Sequence, residues 1–217
     1  MSKKRVSWLA LAGFSLLAMG CAVGEGEGSV KSERVFIKDC WNGALDLRPD
    51  FFAANPYMES SLMIRVQSGD NIEEQSDGLH VAVSDLQTVR TRIAESPDHT
   101  ATFEVGMSPG VSPPGVPIVA NDNPPLVTLA LYLNKSCHAQ NASIYSISGS
   151  ITFRSLFSGD PQESDAEERL TDASFDAQFA DPRQLVANAD MADAIESHLV
   201  GNFRFYFQRG QPAQPFQ

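Results

Sequence analysis

Tryptophan and cysteine are both scarce here, at two and three residues in a chain of 217. There is no Cys-x-x-Cys pair, so the usual spacing of a structural zinc site is missing. Long apolar runs are missing as well. The longest, Val6 to Met19, is interrupted by Ser7, Gly13 and Ser15. It falls short of the roughly 20 residues that a membrane-crossing helix needs. Positive charge is also in short supply: 16 Lys and Arg stand against 27 Asp and Glu, for a net charge of −11. Residues 1–20 contain Lys3, Lys4 and Arg5 and no acid, so without them the net of −11 becomes −14. A surface this acidic repels phosphate backbones and anionic headgroups. That counts against nucleic-acid binding and excludes attachment to a membrane through a basic patch.

Catalytic motifs fare no better. Gly106-Met107-Ser108-Pro109-Gly110 fits the pattern G-x-S-x-G. A nucleophile elbow needs a helix after the serine and the backbone N–H of the next residue as an oxyanion donor. Pro109 has no N–H, and the following Val-Ser-Pro-Pro-Gly-Val-Pro cannot be a helix. No two of His80, His99, His138 and His198 stand four apart, and no H-E-x-x-H occurs. No catalytic residue is assigned.

What is present begins at the N-terminus. Lys3-Lys4-Arg5 precedes the apolar run, and small residues close it at Ala18 and Gly20, just before Cys21. This resembles the export signal and lipobox of bacterial lipoproteins. Ala18 stands where Leu is commoner. The resemblance covers about 21 residues and implies cleavage before Cys21, with fatty acyl chains such as palmitate on its sulfur and new amine. One chain holds a protein to a bilayer only marginally, whereas two or three hold it firmly. The implied partner of Cys21 is therefore a membrane. With Ala22 and Val23 after the cysteine and no Asp, the resemblance implies the outer membrane. Cys40 and Cys137 then remain as a pair in an oxidising compartment, and one disulfide is expected.

Residues 21–30, with alternating Gly and Glu, read as the lipidated cysteine and a flexible tether, leaving 31–217 as one domain. Within it, period-two alternation dominates. Strands are expected at 34–38, 44–48, 60–67, 79–83, 100–105, 126–133, 144–157, 171–179 and 199–207, and 86–93 reads as a further pairing segment. Arg48 to Pro56 reads as one helical turn capped by Asp50. Asp190 to Ser197 reads as a short helix, and the proline-rich stretch 106–125 as a surface loop. The expected class is all-β with minimal helix, a single antiparallel β-sandwich or, alternatively, a β-barrel.

Three features could carry function. Trp41, Phe51, Phe52 and Tyr57 fall close together. Exposed, they would stack against sugars or a partner protein; buried, they would cap the core. Asp70, Asn71, Glu73, Glu74 and Asp77 share one interstrand turn and could supply oxygen ligands to Ca²⁺, although the EF-hand spacing is absent. A second acidic loop spans 160–168. Two carboxylates at a defined separation could serve glycoside hydrolysis. The leading expectation is a non-enzymatic, membrane-anchored module of the bacterial envelope that binds a protein or glycan partner. The alternatives are an extracytoplasmic hydrolase with a carboxylate site on the acidic loops, or a purely structural envelope protein.

Overall fold

A computed structural model describes residues 26–58, 60–69, 76–107, 125–137, 143–185 and 195–208. The signal segment, Cys21, the G-x-S-x-G serine and most of the proline-rich stretch lie outside them. The expected helix at 190–197 does too, apart from its last three residues. Ten strands form one sheet: β1 (Gly26–Ile37), β2 (Trp41–Leu47), β3 (Phe51–Tyr57), β4 (Ser61–Ser68), β5 (Asp77–Val83), β6 (Ala101–Gly106), β7 (Val127–Leu133), β8 (Ser143–Ser155), β9 (Leu170–Ala180) and β10 (Ser197–Tyr206). Among the described residues two helices accompany them, α1 (Leu86–Glu95) and the single turn α2 (Pro182–Leu185). The all-β class with little helix holds.

The strand order is β2-β1-β10-β9-β8-β6-β7-β5-β4-β3. All pairings are antiparallel except β6 with β7, which run parallel over Val105↔Val127 and Gly106↔Thr128. Instead of splitting into two hydrogen-bonded layers, the sheet is continuous and curls into a half-barrel. Two constraints require the curl. The outermost strands β2 and β3 are joined only by Arg48, Pro49 and Asp50, a link that spans at most about 14 Å. The second is the Cys40–Cys137 disulfide, which joins the β1–β2 turn to the residues after β7 with a Cα–Cα distance of 5.6 Å. A flat sheet would hold those two places roughly 20 Å apart, at about 4.8 Å per strand.

The concave side holds the core. Along β9, Ala173, Phe175, Ala177 and Phe179 are buried and alternate with Asp172, Ser174, Asp176 and Gln178 on the convex side. On β10, Leu199, Phe203 and Phe205 point inward. Gly201 shares their face and leaves its space to the Phe175 ring. The expected tether is partly strand: β1 starts at Gly26, with Gly26 opposite Phe205 and Gly28 opposite Phe203. A Cβ on Gly26 would stand 2.6 Å from Phe52, so these glycines make room for that ring, which stacks on Phe205 at 5.7 Å.

Two further segments fold otherwise than expected. Residues 86–95 are helical because Asp85 caps them, its carboxylate accepting the Thr88 N–H at 2.9 Å and the Thr88 hydroxyl at 2.7 Å. Leu86, Val89 and Ile93 repeat at three and four residues, and α1 packs Val89 and Ile93 into the core against β6 and β8. Residues 51–57 form an edge strand instead of a helical turn. The Asp50 carboxylate accepts the Gly69 N–H at 2.6 Å, and Pro56 is tolerated because β3 has a neighbour on one side only.

Gly149, at φ +119°, bends β8 as expected, with a register shift between Ser146 and Ser148. The N-terminal part of β8 pairs with β7 and its C-terminal part with β6, so the sheet forks along β8. The buried Ser146 sits in the fork. Its Oγ accepts the Leu129 N–H at 3.0 Å and donates to the Gly106 carbonyl at 2.8 Å.

Candidate functional site: an outer groove across the sheet

The register aligns side chains in rows across the convex face. One row runs Ser29, Asn202, Ser174, Thr152, Thr102 through β1, β10, β9, β8 and β6. Every member carries a hydroxyl or an amide, and Thr102 and Thr152 bond to each other at 2.8 Å. The next row runs Glu27, Arg204, Asp172. Asp172 bonds Arg154 at 3.4 Å and lies 3.7 Å from the Arg204 Nε. Short side chains at Ser29 and Ser174 form a floor beside the long Arg154 and Arg204. A groove of about 540 Å³ results. A second depression of about 250 Å³ continues it past Glu27 and Arg204 to Tyr206, which is 37% exposed. Donors, acceptors and paired charges of both signs thus face solvent in a shallow trough with an aromatic ring at one end.

A second cluster of chemically capable side chains stands on the outer side of β4, β5 and β7. The Tyr132 hydroxyl donates to the Gln67 amide oxygen at 2.8 Å, and the Tyr132 ring lies 4.5 Å from that of His80. Gly78 permits this, since a Cβ there would collide with the Tyr132 ring. Burial, with the Arg65 charge adding to it, lowers the His80 pKa to about 4. Burial also raises the Tyr132 pKa to about 12. His80 is therefore a neutral ring at neutral pH. Only the placement of Gly78 between Gln67 and Tyr132 hinted at this cluster, and that pairing is invisible before the strands are assembled.

Of the two readings of Trp41, Phe51, Phe52 and Tyr57, a contiguous exposed platform is not what forms. Phe51 and Phe52 are buried, the latter against Phe205. Trp41 packs partly against the core from β2, its Nε1 donating to the Gly43 carbonyl at 3.2 Å. Only Tyr57 is half exposed, at 51%. The physical reason is that Phe52 fills the space opened by Gly26 and Gly28. Of the five residues considered for Ca²⁺, Asp70, Asn71, Glu73 and Glu74 lie outside the described residues. Asp77 is buried, and its carboxylate accepts the backbone N–H groups of Lys135 and Ser136 and the Ser136 hydroxyl. Among the described residues no three His, Cys, Asp or Glu side chains are placed to hold a metal.

In the acidic loop at 160–168 three carboxylates cap the loop's own turns. Asp160 accepts from Gln162 N–H, Glu163 from Asp165 N–H, and Asp165 from Glu167 N–H. Glu168 pairs with Arg90 of α1. The expected disulfide is present, between Cys40 and Cys137. Near it, the fully buried Asp181 accepts the Lys38 N–H at 2.8 Å and takes a bidentate pair from Arg183. That carboxylate raises the pKa of Arg183. Among the described residues no helix is long and apolar enough to cross a membrane. No protein-family model matches the chain, and no curated protein or solved structure proves similar to it.

Proposed function

We propose that this protein is a lipoprotein of the bacterial envelope, held by acyl chains on Cys21, whose half-barrel is a non-enzymatic binding module for a protein or glycan partner. The observation that carries the reading is the Cys40–Cys137 disulfide. Disulfides persist in oxidising compartments outside the cytoplasm, where an export signal ending at Cys21 would deliver the chain. The binding half of the reading rests on the outer groove, a solvent-facing polar trough that the core does not need.

Acyl labelling tests the anchor. Grown with labelled palmitate, a bacterial host making the full-length chain is expected to yield a labelled protein in the membrane fraction. The variant Cys21→Ala is expected to lose both label and membrane association. An unlabelled wild-type protein would sink the proposal. A pull-down from envelope fractions tests the binding module, with a specific partner or glycan expected on the intact lipoprotein.

A further inference from the structure

The geometry points to an extended, neutral oligosaccharide as the ligand of the outer groove, lying across β1, β10, β9 and β8 and hydrogen-bonded by Ser29, Asn202, Ser174 and the Arg204–Asp172–Arg154 cluster. This inference rests on the binding-module reading above and names its ligand class.

The argument starts from what a sugar presents. Each hydroxyl is both donor and acceptor, and neighbouring hydroxyls sit in pairs. Planar amide, guanidinium and carboxylate groups each offer two polar atoms side by side, which suits such pairs. The groove holds all three planar types, in Asn202, Arg154 with Arg204, and Asp172 with Glu27, next to the hydroxyls of Ser29 and Ser174. Charge narrows the choice. Two acids stand with two arginines, and both arginines already face Asp172. A charged ligand gains no net attraction there, and the net charge of −11 disfavours polyanions.

Shape agrees with this. The polar row runs perpendicular to the strands, stepping by about 4.8 Å from one to the next. An extended ligand lying along the row meets a new polar side chain at each step. Two residues past Arg204 along β10, flanking the rows, Tyr206 offers an accessible ring, the usual partner for the apolar face of a pyranose. None of these side chains contributes to the concave core, so their arrangement can change without unfolding the sheet.

The test is calorimetric titration of the full-length, disulfide-bonded protein in detergent with four neutral tetrasaccharides, of N-acetylglucosamine, β-1,4-glucose, α-1,4-glucose and mannose. At least one is expected to bind. Asn202→Ala and Arg204→Ala are each expected to weaken it roughly tenfold, the loss of one strong hydrogen bond, at an unchanged melting temperature. Ser174→Trp, which fills the floor, is expected to abolish it. Silence from all four sugars at millimolar concentration overturns the inference, as does binding that survives Ser174→Trp in a folded protein. If the sugars are silent while the envelope pull-down captures a protein partner, the ligand class is wrong and the binding module stands. If both are silent, the binding module falls too.

Discussion

Asp77 and Ser136 are joined twice: Asp77 Oδ1 accepts the Ser136 N–H at 3.0 Å, and Oδ2 accepts its hydroxyl at 2.5 Å. The Lys135 N–H adds a third bond at 3.0 Å. The carboxylate thereby braces the turn that delivers Cys137 to Cys40. Asp77→Ala leaves these donors without their partner at a buried position. We expect a loss of about 3 kcal/mol, read from urea unfolding. Reoxidation of the reduced variant should also be slower by thiol titration. Reoxidation at the wild-type rate would mean that the brace does not position the cysteine.

The disulfide closes a loop of 97 residues. In the chain-entropy model such a loop stabilises the fold by about 4–5 kcal/mol. Cys40→Ser with Cys137→Ser is expected to lower the urea midpoint accordingly, and reductant should do the same to the wild type. Intact mass should rise by two hydrogens on reduction. A midpoint indifferent to reductant would contradict the structural role.

Ser146→Ala probes the fork in the sheet. The methyl group cannot accept the Leu129 N–H or donate to the Gly106 carbonyl, and the site is closed to solvent. A loss of about 2 kcal/mol is expected. Amide exchange should speed up first at Leu129 and along the ends of β6 and β7. A uniform change across the sheet would argue against a local junction.

His80 makes stability depend on pH with a defined sign. Folded, it stays neutral down to about pH 4, whereas the unfolded chain takes up a proton near 6.5. Between those values the unfolded state binds more protons. Stability therefore falls as pH drops from 6.5 to 4 and levels off below, by up to about 3 kcal/mol from this residue. The difference curve between wild type and His80→Gln, from denaturant unfolding at several pH values, should carry this step. A flat difference would remove His80 as the cause.

How much of this was legible beforehand follows from the range of each signal. Alternation is local, so Leu62, Ile64 and Val66 on β4, and Ala173, Phe175, Ala177 and Phe179 on β9, declared their faces without the fold. Gly149 marked its bend for the same reason. The helix at 86–95 was also encoded, in Asp85, Thr88 and the three-and-four spacing of Leu86, Val89 and Ile93, but so few apolar residues in a short segment flanked by strands are a weak signal. For Phe51 and Phe52 both burial and exposure stayed open, because the burial of Phe52 depends on Gly26 and Phe205, which are remote in sequence.

By itself the sequence determined an all-β chain, an acidic surface, and the expectation that Cys40 pairs with Cys137. These follow from composition and from neighbours along the chain. Only the tertiary structure decided that ten strands form one curled sheet, because the short link between β2 and β3 and the disulfide constrain strands that share no local signal. It also decided the groove. Glu27, Ser29, Arg154, Asp172, Asn202 and Arg204 come from four strands, and only strand register brings them to one place.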